Sequence, residues 1–309
     1  MDRKIKCGRY TVTVTTENKI LFPKAGITKG DLIRYYERIA PIMIPHLKNR
    51  PLMMHRFVHG ITGEGFYQKD APDYFPSWIA VAPIEKKEGG IVRYVLCNNA
   101  ATLVYIANQL CITPHIWLSR VPKVDYPDRM IFDLDPSKGV SLSVIRWAAK
   151  KIKELLEKCG LTPFVMTTGS RGFHVVVSLK KIHTFDYTRT FARDLARLLV
   201  HRYPYKLTLE MRKDKRGKRI FVDTLRNAFA QTGVAPYGVR AKPGAPIATP
   251  IEWHELLKKG IKPQSYTIKN IFRRLSRKKD PWLSIDRAAV SLKQARKKLD
   301  ILLQEEGLE

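Results

Sequence analysis

The sequence predicts a mixed α/β (α+β) protein forming one compact body, and three observations carry that expectation. Segments with apolar residues three and four apart alternate with short β-branched and aromatic runs along the whole length. No repeat and no low-complexity block divides the chain. The 309 residues are 44% hydrophobic and 10% aromatic, enough for a substantial core, which argues against disorder.

The elements follow in order. The opening YTVTVTTENKILFPKAG reads as a strand and a loop. In ITKGDLIRYYERIA, Thr28 stands at an N-cap position with Asp31 three residues on, close to a capping box, so a helix follows. RPLMMHRFVHG and GEGFYQKDAP are two strands around a Gly-rich turn. GGIVRYVLCNNAATLVYIANQLCITPHIWLSR gives a strand, a helix from about Asn99 and a strand ending near Arg120. RMIFDLDPSKG is a further strand. SLSVIRWAAKKIKELLEKCG keeps helical spacing and stops on Gly160. PFVMTTGSRGFHVVVSL is a hairpin around Gly-Ser-Arg-Gly, and YTRTFARDLARLLVHRY is another amphipathic helix. LEMRKDKRGKRIFVDTL is a basic hairpin turning at Gly217. GVAPYGVRAKPGAPIATPIEWHEL is rich in Pro and Gly but contains aromatics, which marks an ordered loop. From about Lys258 the chain is strongly basic and ends in a helix.

Charge narrows the function. Fifty-six Lys and Arg against 28 Asp and Glu leave a formal charge of +28, so the expected partner is a polyanion, nucleic acid first. No run of about 18 apolar residues is present, and the N-terminus lacks the apolar segment of a secretion signal. The expected location is the cytoplasm, in association with the nucleoid, with no membrane partner. Cys7, Cys97, Cys111 and Cys159 are widely spaced without a C-x-x-C pair, the pattern of reduced, mostly buried thiols. His55 and His59 are four apart, but the β-branched and aromatic residues around them favour a strand, so a helical zinc pair is rejected.

The two aspartates of RMIFDLDPSKG stand inside an apolar run. Residues two apart in a strand face one side, so Asp133 and Asp135 project together while Phe132 and Leu134 face the opposite layer. Neighbouring carboxylates raise each other's pKa, and a divalent cation relieves that conflict. Asp223 ends a second apolar strand, RIFVD. If the two strands are neighbours, three carboxylates converge as the ligand set of a two-metal phosphoryl-transfer site. D-x-D alone also occurs at surface strand ends and caps. Nearby, Ser170 and Arg171 lie in a turn between Gly169 and Gly172 that is able to present backbone N–H groups to phosphate. His174, which begins the next strand, and His115, before IWLSR, read either as structural histidines or as contacts to a triphosphate. Lys19 and Lys29 flank a Pro-Gly loop, where they either grip a phosphate or form ordinary solvated surface.

LFPKAGITKGDLIRYY, FDLDPS, TTGSRGFHVVV, FVDTLRN and APYGVRAKPGAPIATPIEW, in this order and spacing, resemble the polymerase domain of bacterial ligase D. That domain belongs to the archaeo-eukaryotic primase superfamily and works in non-homologous end joining. The resemblance runs from about residue 9 to 300. It implies an archaeo-eukaryotic primase-like fold, an RRM-like catalytic sheet packed with a second αβ unit. The whole chain, 1–309, is then a single primase-polymerase domain, with an N-terminal αβ part (9–120), a catalytic part (121–255) and a basic C-terminal helical part (256–309).

The resemblance also implies a template-directed nucleotidyltransferase that adds nucleotides, preferably ribonucleotides, to primer 3′ ends and fills short gaps bearing a 5′-phosphate. Asp133, Asp135 and Asp223 fall on its two-metal site for Mn²⁺ or Mg²⁺. Ser170, Arg171, His174, His115 and Arg240 fall on positions that hold the incoming NTP or dNTP. Lys19 and Lys29 match the pair that holds the 5′-phosphate, and Phe66 and Tyr67 an aromatic pair that stacks on a base. Two departures stand out. His55 replaces a lysine of relatives, and Thr224, Leu225 and Arg226 replace a Trp–Ser–Gln run, so DNA contacts there fall to Arg226. No K-x-D-G ligase motif is present, so a DNA ligase and a Ku-type end-binding protein are expected as separate partners. The competing readings are a primase that starts chains de novo, a metal-dependent nuclease, and an RRM-like RNA-binding module.

Overall fold

The structure is a computed structural model that describes residues 2–86, 88–258 and 260–308. The chain forms two compact units: Met1–Val121 with Thr232–Thr249 and Gln264–Lys278, and Pro122–Gln231 with Pro250–Pro263 and Lys279–Glu309.

The first unit opens with the hairpin β1 (Arg3–Cys7) and β2 (Tyr10–Val14), then the short pair β3 (Ile20–Phe22) and β4 (Ile27–Thr28). Helix α1 (Lys29–Leu47) follows, and the Thr28–Asp31 capping box forms as expected, each side chain accepting from the other's backbone N–H. Next come β5 (Pro51–Arg56), β6 (Phe66–Gln68), β7 (Val81–Glu85), β8 (Ile91–Leu96), α2 (Ala100–Asn108) and β9 (Cys111–Trp117). Asn99 caps α2, taking the Thr102 N–H on its side chain.

In the second unit β10 (Arg129–Pro136), α3 (Leu142–Lys158), β11 (Pro163–Thr167), β12 (Phe173–Ser178), α4 (Phe185–Arg202), β13 (Leu207–Thr208) and β14 (Ile220–Asp223) succeed one another. The chain then adds β15 (Thr232–Val234) to the first unit, β16 (Pro250–Ile251) and α5 (Trp253–Leu257) to the second, α6 (Ile271–Leu275) to the first and α7 (Leu292–Gln304) to the second.

The first unit's sheet runs β15-β9-β5-β8-β7, with β6 added on β5, and α1 packs against α2. Its Pro/Gly-rich segment is ordered, as expected. Tyr237 adopts φ 65°, its N–H bonds the Ala248 carbonyl at 2.6 Å, and its own carbonyl accepts the Tyr35 hydroxyl at 2.6 Å. Val239 donates to the Tyr36 hydroxyl at 3.0 Å. These ties fix the backbone from which Arg240 projects.

The second unit's sheet runs β13-β14-β10-β12-β11-β16. Its inner part, β10-α3-β11-β12-α4-β14 in spatial order β14-β10-β12-β11, is the expected RRM-like βαββαβ arrangement. Both helices pack on β10 and on each other. Along β10, Phe132 and Leu134 are fully buried while Asp133 and Asp135 stay partly open, so the period of two holds.

Two expectations are corrected. LEMRKDKRGKRIFVDTL is not a hairpin: β13 runs parallel to β14, with Leu207 opposite Ile220. The basic residues between them form a side loop held by buried Arg216, whose guanidinium donates to the carbonyls of Glu210 at 2.8 Å and Met211 at 2.7 Å. Like charges on facing strands repel, and a single inward arginine closes the loop instead. Residues 256–309 are not a separate helical part either. Ile271 is buried in the first unit's core, whereas α7 packs on α4 in the second. All four cysteines are free thiols, three of them buried.

Candidate active site

Register builds the centre of the second unit. Asp133 lies opposite His174 on β12 and opposite Asp223 on β14, so one row across three strands reads His174–Asp133–Asp223. Directly opposed residues share a face, and like charges so placed are unfavourable. Burial, and then Asp133, push the Asp223 carboxyl above the usual aspartate range. Asp223 Oδ1 accepts the Leu225 N–H at 2.8 Å, which fixes that carboxylate against its own strand end. Asn227 pins the following turn back to β10, accepting the Ile131 N–H at 2.8 Å and donating to the Ile131 carbonyl at 2.7 Å.

Guanidinium groups compensate the remaining charge. Asp135 accepts from Arg171 at 2.8 Å on one oxygen and from Arg216 at 2.9 Å on the other. The Arg226 Nε stands 3.8 Å from Asp223, and the His174 Nε2 stands 3.4 Å from Asp133. Arg216 also lies over the Phe221 ring at 4.2 Å and is almost wholly enclosed. Sequence reasoning missed it. Arg216 is one of several cations in RKDKRGKR, and only its burial separates it from the solvated ones.

The Gly-Ser-Arg-Gly turn differs from its expected role. The amides of Ser170 and Gly172 both point inward to the Thr168 hydroxyl, at 3.2 and 3.3 Å, so they are not offered to a phosphate. What the turn presents is Arg171. Gly172 is required by contact: a Cβ there would stand 1.8 Å from the Leu134 carbonyl oxygen, between the two aspartates of β10.

Hard oxygen donors of like charge, one with a raised pKa, are the chemistry that a divalent cation relieves. The His174 Nδ1 is in addition a buried polar atom without a hydrogen-bond partner. Asp133 and Asp223 therefore fit a hard cation as they stand. Among the described residues no three His, Cys, Asp or Glu are gathered into a ready cage. Both Asp135 oxygens accept from guanidinium groups instead.

The first unit holds the other predicted residues. Tyr67, more than half exposed on β6, stacks on His55 at 4.1 Å with the rings 20° apart, and His115 meets Tyr67 edge-on at 5.8 Å. Phe66 is exposed beside it with the Arg56 guanidinium 5.5 Å from its centroid. Burial, and then Arg240, depress the His55 pKa to about 4, so this residue brings no charge near neutrality. It is a stacking partner, and the lysine-to-histidine departure exchanges a cation for a ring.

Lys19 and Lys29 are brought together: the Lys29 N–H donates to the Lys19 carbonyl at 2.8 Å. The Lys29 ammonium is buried and donates to the Thr15 carbonyl at 2.7 Å and to the Thr15 and Thr16 hydroxyls, each at 3.3 Å. Burial, and then Lys19, lower its pKa to about 8. The Lys29 ammonium is thus already occupied by Thr15 and Thr16.

An RRM-like sheet with an acidic row flanked by arginines defines a nucleotidyltransferase of the primase-polymerase class, and the comparisons with known proteins agree. A family model described as LigD, primase-polymerase domain, matches residues 28–282. The chain belongs to that family. It is 31% identical over 247 residues to the multifunctional non-homologous end joining protein LigD of Mycolicibacterium smegmatis, covering 79% of this chain and 32% of that protein. It is 28% identical over 274 residues to the bifunctional non-homologous end joining protein LigD of Bacillus subtilis, covering 88% of this chain and 44% of that one. The chain thus spans less than half the length of these curated relatives. Among solved structures, the polymerase domain from Mycobacterium tuberculosis Ligase D in complex with DNA matches with a TM-score of 0.84 and 29% identity, over 90% of this chain and 99% of that one. No helix among the described residues is long and apolar enough to cross a membrane.

Proposed function

We propose that this chain is a template-directed polymerase of double-strand break repair, which adds nucleotides, ribonucleotides by preference, to primer 3′ ends and fills short gaps bearing a 5′-phosphate. The observation that carries the reading is the opposed Asp133–Asp223 pair with Asp135 beside it, on one face of an RRM-like sheet in a chain of charge +28.

Asp133 and Asp223 are the residues that would hold Mn²⁺ or Mg²⁺, and a cation there supplies Lewis acidity toward the primer 3′-hydroxyl and the leaving pyrophosphate. Arg171, exposed on its turn, carries positive charge that attracts a triphosphate. As it turns toward phosphate oxygens, one Asp135 oxygen is freed to join the other two carboxylates, while enclosed Arg216 keeps its hold on the second. Ser170 and His174 flank this face. The Asp223 carboxyl binds a cation only after losing its proton, which burial makes harder. Phosphoryl transfer leaves little covalent work to the protein, so positioning and charge carry the rate. We assign Tyr67, backed by His55, to stacking on a base, and His115 and Arg240 to the nucleotide's sugar and phosphates. Phe66 and Arg226 are assigned to the DNA strands, and Lys19, with Lys29 behind it, to the 5′-phosphate. A DNA ligase and a Ku-type end binder complete the pathway, whether on separate chains or on the same one.

The test is a gapped duplex, with and without the 5′-phosphate, supplied with NTPs or dNTPs and Mn²⁺ or Mg²⁺. The proposal expects primer lengthening that requires nucleotide and is stimulated by the phosphate. Shortening of labelled DNA without nucleotide would instead identify a nuclease, and synthesis without a primer a de novo primase.

A further inference from the structure

A cleft in the first unit is lined by none of the residues assigned above. Its volume is about 410 Å³, within the range of small-ligand sites, roughly 300–1,000 Å³. Buried Ile27 and Tyr35 and half-buried Phe272 form its apolar wall, and Arg34, Arg38 and Lys269 line it with one acid, Asp31. Arg34 is paired with Asp31 at 2.7 Å. Arg38 lies with its guanidinium 3.9 Å from the Phe272 ring centroid, so one face of that planar cation is supported by the ring. Exposed arginines are ordinarily mobile. This one is held flat, as a shelf on which a further π-system can stack. Lys269 is tethered too, its ammonium donating to the Ala25 carbonyl at 3.1 Å.

Cations outnumber acids here by three to one, beside a supported planar cation and an apolar wall. A purely acidic partner would leave the wall unused, and an apolar one would leave the cations unpaired. A nucleotide uses both: its base stacks on the Arg38 guanidinium, and its phosphate takes Lys269 and the N–H groups of Arg34 not directed at Asp31. Position adds to this. Gly26 and Ile27 of the cleft belong to the same loop, running to Thr28, that brings Lys19 and Lys29 together.

We propose that this cleft captures an unpaired nucleotide of the DNA strand whose phosphorylated 5′ end engages the Lys19–Lys29 loop. Such a nucleotide is what an unfilled 5′ overhang or a displaced flap presents. The inference rests on the reading of the chain as a DNA-end enzyme, and it adds a determinant of end structure that the catalytic face does not provide.

The test uses the full chain and two 5′-phosphorylated duplexes, one flush at the gap and one carrying two unpaired nucleotides. Affinity is read by fluorescence anisotropy, with primer extension on the flush substrate as the control. The wild type is expected to prefer the unpaired substrate, and Arg38→Ala, an exposed site that leaves the core intact, to weaken that substrate by roughly tenfold, the effect of losing one stacked base. The flush substrate should change less than twofold and its extension should be unchanged. Lys269→Ala should act in the same direction with a steeper dependence on salt. Equal weakening of both substrates by Arg38→Ala would overturn the inference in favour of plain surface charge. Absence of any wild-type preference would overturn it as well. A free-nucleotide source is distinguished by dialysis against labelled AMP: saturable binding that Arg38→Ala abolishes, without strand discrimination, would overturn the strand assignment. Failure of extension on the flush substrate by every form would instead count against the polymerase reading.

Discussion

The acidic face of the second unit and the aromatic group of the first solve opposite problems. On β10 and β14 the fold places like charges side by side and then restrains them, with two arginines on Asp135 and a raised pKa at Asp223. Around Tyr67 it removes charge: His55 is neutral near pH 7 and stacks, and His115 packs edge-on. On the proposed reading, the groups assigned to a cation are kept under electrostatic tension, and those assigned to a base are kept relaxed and planar. Substitutions in the first region should therefore remove activity, and substitutions in the second should retune it.

A large effect is expected for Asp135→Ala, which removes a carboxylate from the acidic face and leaves Arg171 and Arg216 without their anion. Extension should fall by about a thousandfold or more, on the scale of losing a key charged group in phosphoryl transfer, while DNA affinity holds or rises. Single-turnover extension beside a binding titration checks it. Gly172→Ala comes next. Its Cβ would collide with the Leu134 carbonyl, pushing the turn off β10 at a cost of roughly 3 kcal/mol. A thermal midpoint lower by roughly 6–12 °C is expected, with weakened extension, and an unchanged melting curve would mean that the turn is not pressed on the strand.

Tyr67→Ala should sharpen the contrast. Losing a stacked base is worth roughly 1–3 kcal/mol, so KM for the nucleotide should rise about tenfold with kcat little changed, whereas Tyr67→Phe should behave as wild type. A fall in kcat at unchanged KM would move Tyr67 from recognition into catalysis. The smallest effect is a pH dependence. Because the Lys29 pKa lies near 8, the ammonium is present below that value and is lost as pH rises through it. Stimulation by the 5′-phosphate should therefore shrink between roughly pH 8 and 9, beginning at the high side of that window because a bound phosphate holds the proton on, and Lys29→Arg should keep it.

Sequence exposes the two regions unequally, for a physical reason. Asp133, Asp135 and Asp223 interrupt apolar strands, and a carboxylate in such a run demands compensation wherever the strand is buried. Period-two alternation then placed two of them on one face, and strand pairing added the third. The capping box at Thr28 and the helix stop at Gly160 were equally legible, whereas the RRM-like sheet was expected only from the family resemblance. Arg216 was not, because the sequence does not say which arginine of a charge run is buried. Nor was the inward direction of the Ser170 and Gly172 amides, which depends on the Thr168 hydroxyl. His55 read as a strand residue standing where relatives carry a lysine, and only the ring of Tyr67 beside it shows that it stacks. The parallel course of β13 escaped notice because a basic stretch between two apolar ones resembles a hairpin whichever way its flanks run.

Asp223→Asn tests the central claim most directly, since it keeps the acceptor for the Leu225 N–H and removes only the charge. Burial raises the Asp223 pKa, so its charged form costs stability above that pKa and the cost is relieved as pH falls through it. The metal-free variant should accordingly melt higher than the wild type at neutral pH, by roughly 2–4 °C per kcal/mol recovered. Extension of a gapped duplex and DNA affinity, measured side by side on this variant, give the decision. The account predicts wild-type DNA affinity with no nucleotide added to the primer, and extension at the wild-type rate would contradict it.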